Sequence, residues 1–267
     1  MTWLVWCPAN SLPFVAPNLA TLKCFVVFAS LFISAAQFLS CAAPVEPNRS
    51  AGETLAADLR NQKPPENTEV TGILKMRDAN GKRTESVLRF RTVLGGKSWD
   101  AIYEVQPTLE HVAEKLIVVH GENSPNRYRL AQARSKDAAL PEPALCLQLM
   151  TPFARSDFWI ADLGLEFFHW PDQRLTTNEM RRGRACKVLE SINPHPAPGT
   201  YARVLSWIDA ETDGLLRAEA YDASNKLWKE FSVGSFKKIK GRWELQDMEI
   251  RNVRSDSRTR LEFDLDE

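Results

Sequence analysis

The chain has 267 residues, and its 34 lysines and arginines stand against 34 aspartates and glutamates. A balance so close to neutral excludes the strongly basic field that a nucleic-acid partner would call for. The charge is unevenly spread: Lys23 is the only charged residue before Glu46, and setting it aside leaves 33 basic against 34 acidic residues in the rest.

Lys23 is followed by "CFVVFASLFISAAQFLS" from Cys24 to Ser40, a basic residue and then a run of roughly seventeen apolar-biased residues. That layout predicts an export signal over 1–41; a membrane anchor is the competing interpretation of the same run. The stretch before Lys23 is long for a signal and places the working start codon near Lys23. Two cleavage chemistries fit the boundary. "FLSC" at Phe38 to Cys41 resembles the lipobox of bacterial lipoproteins, with Cys41 as the lipidated residue, although Phe38 stands where Leu is usual. Ser40, Cys41 and Ala42 equally make a small-x-small site for ordinary signal peptidase. Both send the mature chain out of the cytoplasm.

Residues 42–50 are rich in proline and polar residues and are expected to form a tether. Residues 51–267 then make a single domain of a little over 200 residues, enough for one sizeable core. It opens with a helix over Ala51–Gln62, in which Leu55, Ala56 and Leu59 share a face and Pro64-Pro65 ends the element.

From Glu69 the hydrophobic period becomes two. Val70, Gly72, Leu74 and Met76 form one face of a strand; Asn80-Gly81 supplies the positive φ angles of a tight hairpin; Thr84, Ser86, Leu88 and Phe90 return on one face. Trp99, Ala101, Tyr103 and Val105 continue the alternation, followed by Lys115–His120 and Arg127–Ala131. Pro141, Pro143 and Pro152 make the stretch from Ser135 to Pro152 too broken for a continuous element. Strands resume at Cys186–Ile192, Tyr201–Ile208, Gly214–Tyr221, Leu227–Phe236, Trp243–Val253 and Arg260–Leu265. Between Trp243-Leu245 and Met248-Ile250 the phase slips by one, as at a β-bulge. About ten strands and two helical regions predict a mainly β fold, a curved antiparallel sheet or barrel.

Between the two groups of strands lies "SDFWIADLGLEFFHWP", residues 156–171. As a helix over 158–170, at about 100° per residue, it places Asp162, Glu166 and His169 in an arc of about 60° and leaves the remainder apolar. Asp157 is placed to cap its N-terminus, with the other three as a solvent stripe. Such a helix either plugs a packed barrel or rests one face on the sheet and turns the other to an apolar ligand.

Catalytic chemistry is not evident. There is no G-x-S-x-G elbow, H-E-x-x-H pair or phosphate-cradling glycine loop, and His111, His120, His169 and His195 lack ligand-spaced partners. No metal site, cofactor or nucleic-acid partner is expected. Cys146 and Cys186 form a disulfide after export or stay buried thiols, and "KKIKGR" at 237–242 reads as a soluble lysine-rich hairpin turn.

"SDFWIADL" at 156–163, "RGRACKVLES" at 182–191, "YARVLSWIDAETDGLLRAEAYDASNKLWKEF" at 201–231 and "IKGRWELQDMEIRN" at 239–252 together resemble the outer-membrane lipoprotein-sorting family. That family includes the carrier LolA and the receptor LolB, and the likeness is nearest to its uncharacterised LolA-like branch. The resemblance implies an unclosed, sharply curved antiparallel barrel with a helical lid and an apolar cavity for acyl chains of lipoproteins or related lipids. A sixteen-carbon chain left in water is penalised by about 12 kcal/mol, at about 0.8 kcal/mol per methylene. Carried over by position, the lid falls on Trp159, Ile160, Leu163, Phe167, Phe168 and Trp170, and the barrel lining on Leu74, Leu88, Phe90, Tyr103, Leu205, Trp207, Phe231 and Val233. It further implies a possible inner-membrane transporter partner, while a lipobox-like Cys41 fits a membrane-anchored receptor better than a soluble carrier. A fully packed envelope module without ligand and a lipid-ester hydrolase are the alternatives.

Overall fold

The computed structural model describes residues 48–109, 111–239 and 242–265. The expected export segment, Cys41 and most of the expected tether lie outside the described residues. No helix among those described is long and apolar enough to cross a membrane.

Helix α1 runs Arg49–Asn61, two residues earlier than its hydrophobic pattern suggested. Asn48 is the reason: its Oδ1 accepts a hydrogen bond from the Ala51 amide at 3.0 Å, satisfying one of the open donors of the first turn. Asn48 also exchanges backbone hydrogen bonds with Leu175, so the end of the expected tether is docked on the domain. Leu55, Ala56 and Leu59 are buried, as their spacing predicts.

Thirteen strands follow: β1 Thr68–Arg77, β2 Arg83–Leu94, β3 Ser98–Val105, β4 Glu114–Gly121, β5 Ser124–Gln132, β6 Ala144–Leu145, β7 Asp172–Arg181, β8 Arg184–Ile192, β9 Arg203–Asp209, β10 Leu215–Tyr221, β11 Leu227–Ile239, β12 Arg242–Asn252 and β13 Ser257–Asp264. All lie in one antiparallel sheet in the order β6-β5-β4-β3-β2-β1-β13-β12-β11-β10-β9-β8-β7. The expectation of a curved, unclosed antiparallel sheet holds. Its two free edges are β6 and β7, neighbours in the chain, and the segment joining them must cross the concave face.

Local chemistry accounts for the meander. Asp78 Oδ1 accepts hydrogen bonds from the amides of Asn80 and Lys82, and Gly81 takes φ 81°, closing the β1–β2 hairpin. The register between β11 and β12 shifts around Ser235, opposite Asp247 and Leu245, which is the bulge that the phase slip predicts. The turn at 240–241 lies outside the described residues.

β7 was not anticipated. It is a sheet edge with half-buried and exposed positions and no clean alternation, so the period-two signal is missing. The two-residue β6 is likewise too short and too exposed to register. The inward faces of β1 to β5 and β8 to β13 merge into one core with Phe153, Phe158, Ile160 and Phe168 from the crossing segment.

Candidate functional site

The segment between β6 and β7 is not the single helix its wheel suggests. Residues 153–158 form a tight loop with Ala154 and Arg155 at φ 50° and 57°. Helix α2 is one turn, Ile160–Leu163, and Gly164 caps its end. Leu165 then adopts a left-handed φ of 51°, and a turn of 3-10 helix follows at Glu166–His169. The break at Leu165 reorients the chain, so apolar residues from more than one side of the supposed wheel reach the core.

Asp157 does not cap the helix. Its carboxylate accepts hydrogen bonds from Ser257 Oγ at 2.5 Å and Thr259 Oγ1 at 2.9 Å, tying the segment to β13. Asp162 takes the capping role: its Oδ2 accepts from the Trp159 amide at 2.8 Å.

The polar residues assigned to a solvent stripe instead face the protein. Asp162 Oδ2 lies 3.4 Å from Lys229 Nζ, with 2% of the lysine side chain and 13% of the aspartate side chain exposed. Tyr201 donates its hydroxyl to the same carboxylate at 3.3 Å. Lys229 Nζ also donates to the Asp157 carbonyl at 2.6 Å and sits 3.8 Å from the centroid of Trp159, whose ring stacks on Tyr201. Burial outweighs the attraction within this pair, raising the Asp162 carboxyl above its ordinary range and lowering Lys229 to about 8. Glu166 accepts from the Tyr128 hydroxyl at 2.7 Å, and burial raises its pKa too. His169 is held neutral, down to about 4, by burial and then by the neighbouring Arg60 guanidinium.

Side chains from around the sheet fasten this segment. Tyr103 of β3 donates to the Leu163 carbonyl at 3.3 Å, Asn126 of β5 to Gly164 at 2.8 Å, and Arg60 of α1 to Phe168 at 2.5 Å. Gln173 of β7 donates to the Phe167 and Trp170 carbonyls, each at 2.9 Å. Among the described residues, the backbone-to-backbone hydrogen bonds of 149–170 run within the segment itself. It rests on the sheet through packing and side-chain hydrogen bonds, without joining the strand ladder.

Beneath it is a cavity of about 30 Å³, walled by Phe158, Leu163 and Phe167 on the segment side and Phe231, Met248 and Ile250 on the sheet side. That volume holds about one water. Ala218 and Ala220 of β10 border it with little side-chain bulk, and Lys229, Asp162 and Tyr201 form its polar end.

Of the residues assigned to a lid, Trp159, Ile160, Leu163, Phe167 and Phe168 are buried in the common core and Trp170 packs half-buried against it. Leu74, Leu88, Phe90, Tyr103, Phe231 and Val233 face the same core, although only Phe231 reaches the cavity. Leu205 and Trp207 are corrections. Val204 and Ile208 take the inward register of β9, which turns Leu205 and Trp207 to the convex face beside Cys186 and Val188. Trp207 Nε1 donates there to Glu179 at 2.8 Å, and Arg181 lies 4.9 Å from its ring. The pairing of Cys146 with Cys186 is also set aside: both are free thiols, Cys146 packing on the concave core and Cys186 in the convex cluster.

Lys229 and Tyr201 were missed as site residues. Lys229 left a signal, because it shares the phase of Leu227, Phe231 and Val233 and so puts a charge in an apolar register.

His120 lies within electrostatic reach of His169, and the other two histidines stand apart. His111 pairs with Thr108 Oγ1 at 2.7 Å, His120 stacks on Trp99 at 4.0 Å between ring centroids, and His195 is exposed. Among the described residues no group of three or more His, Cys, Asp or Glu side chains is placed to hold a metal.

A family model described as an uncharacterized protein matches residues 147–265, which takes in the crossing segment and β7 to β13. No curated protein matches the sequence. Solved structures share the fold. A putative outer membrane lipoprotein-sorting protein domain from Vibrio parahaemolyticus aligns with a TM-score of 0.66 at 16% identity, over 82% of this chain and 92% of that one. A DUF1329 family protein from Desulfovibrio piger gives 0.64 at 20% identity, over 80% and 90%. A LolA superfamily protein from Nitrosomonas europaea gives 0.55 at 16% identity, over 81% and 91%.

Proposed function

We propose that this chain, which has the curved, unclosed barrel fold of LolA-like proteins, is a non-enzymatic envelope protein that binds acyl chains on its concave face. Its role is then in lipoprotein sorting or lipid transport to the outer membrane, and the segment 156–171 is its lid. The observation that carries this reading is the way the segment is held. An apolar plug fills the centre of the sheet, yet its own backbone makes no ladder bond to the strands among the described residues. It can leave without breaking a strand ladder, giving up side-chain hydrogen bonds of about 1 kcal/mol each and apolar packing that an acyl chain in its place would restore.

The cavity of about 30 Å³ corresponds to the lid-closed state. Drug-sized ligands need about 300 Å³ or more, so an acyl chain enters only as the lid leaves and takes over the space of its side chains. Export through the apolar segment after Lys23 puts the domain where it meets lipids, with lipidation at Cys41 as a tether to a membrane. Transfer from an inner-membrane transporter is the partner relationship that suits such a carrier.

The same small cavity favours one competing reading, a structural or regulatory module whose barrel is permanently packed. Uptake of a fluorescent acyl probe, with mass spectrometry of co-purified lipid, tests between them. Phe167→Ala and Trp170→Ala supply the control. A lid predicts that the substitutions alter probe uptake, whereas a rigid core plug predicts no uptake before or after them; buried Phe167 is expected to cost about 3–5 kcal/mol, and half-buried Trp170 less, under either reading. Turnover of lipid esters by the pure protein would instead make it a hydrolase.

A further inference from the structure

The inward face of β11 runs Lys229, Phe231, Val233, and the ammonium group is the odd member of that register. Its polar partners come from the lid: the Asp157 carbonyl at 2.6 Å and the Asp162 carboxylate at 3.4 Å. From Asp162 the lid continues along the cavity as hydrocarbon, through Leu163, Leu165 and Phe167. What the lid inserts into the barrel is therefore a carboxylate followed by apolar bulk.

An occupant that displaces the lid also takes Asp162 away from Lys229. The ammonium is then left with the Tyr201 hydroxyl as its polar neighbour in a mainly apolar wall, where a charge without a counter-ion is strongly disfavoured. A neutral ester or alcohol brings no counter-charge to that point. We infer that the cavity selects acyl chains carrying an anionic end group, which replaces Asp162 at Lys229 while the hydrocarbon replaces the lid's Leu163, Leu165 and Phe167. This inference rests on the acyl-binding reading and adds to it the chemistry of the head group. Burial has already lowered the hold of Lys229 on its proton, and an incoming anion strengthens that hold as Asp162 does.

The test is a competition titration of the purified full chain against a fluorescent acyl probe, using palmitate, hexadecyl phosphate and 1-hexadecanol, which share a chain length and differ in the head. Either anion is expected to bind about tenfold or more tightly than the alcohol, a difference of about 1.4 kcal/mol. Which anion leads distinguishes a carboxylate head from a phosphate head. Asp162→Asn, which removes the lid's competing carboxylate, is expected to tighten the binding of the anion. The double substitution Lys229→Met with Asp162→Asn removes both charges together, leaving no unpaired ion to unfold the protein, and is expected to erase the preference. Equal affinity of the native chain for anion and alcohol, or a preference that survives in the double variant, overturns the inference and leaves acyl binding standing. Failure of all three compounds to bind overturns the acyl-binding reading and the inference with it.

Discussion

His169 lies in the 3-10 turn of the crossing segment with its imidazole kept neutral by burial and by Arg60, its pKa lowered from 6.5 to about 4. The unfolded chain therefore binds this proton more tightly than the folded one. Stability from this site is complete above about pH 6.5 and is lost as the pH falls toward 4, by at most about 3 kcal/mol at about 1.4 kcal/mol per unit. Urea denaturation at pH 7 and pH 5 should show the loss, and His169→Asn should flatten it. A variant as acid-sensitive as the parent would place the sensitivity elsewhere, for instance at His120, whose pKa burial also depresses. Nothing in the sequence around His169 announces this behaviour. On a helical wheel it belongs to a hydrophilic arc, and only the break at Leu165 carries that arc into the protein.

At the scale of elements, two glycines hold the pieces in place. A Cβ built on Gly52 of α1 would lie 2.6 Å from the Arg174 backbone of β7. Gly52→Ala gains about 1 kcal/mol of helix propensity, yet the overlap with backbone should dominate and cost a net of about 1–3 kcal/mol; a raised melting temperature would contradict this. A Cβ on Gly164 would lie 2.2 Å from the Tyr128 hydroxyl, which bonds Glu166. Gly164→Ala should displace that ring and release one fastening of the crossing segment. Hydrogen exchange is then expected to speed up over residues 160–170 while the amides of β1, β2 and β13 stay protected. Uniform loss of protection would show instead that segment and sheet unfold together.

For the whole molecule, the position of β13 is decisive. It sits between β1 and β12 in the middle of the sheet, so the last described strand joins the first group of strands to the second. Removing residues 257–267 would open the sheet at its centre and strip the crossing segment of Thr259 and Ser257, the partners of Asp157. Such a truncation should abolish the cooperative thermal transition, read by circular dichroism; a two-state melt near the parent temperature would contradict the role assigned to β13.

Strands buried on one face and the hairpins between them were readable because both are local matters. Leu74, Leu88, Phe90 and Tyr103 advertise their side of the sheet through a period of two. Asn80-Gly81 encodes its turn through the φ angles it tolerates, and the slip in β12 marks its bulge. Helix α1 was legible through Leu55, Ala56 and Leu59, and its true start lay in a side-chain cap at Asn48. β7 escaped because its one fully buried position is the polar Gln173 and α1 lies against the strand, so no apolar alternation marks it. Leu205 and Trp207 were placed inward by the family resemblance, and because both phases of β9 carry apolar residues, period alone does not correct that placement. Which of them meets the core depends on β8 and β10, and on Arg181 and Glu179 waiting on the convex side for Trp207.

The sequence by itself determined that this protein is a meander of amphipathic strands interrupted by one segment far too apolar for the surface, since alternation, turn chemistry and excess hydrophobicity are written in neighbouring residues. Only the tertiary structure decided what that segment does with its charges. The sheet's two edges, β6 and β7, flank the segment in the chain, so the segment must lie inside the curve. There Asp162 meets Lys229 of β11, with four strands between them in the chain. Its burial, its partner and its shifted titration follow from that long-range closure, which no local pattern records.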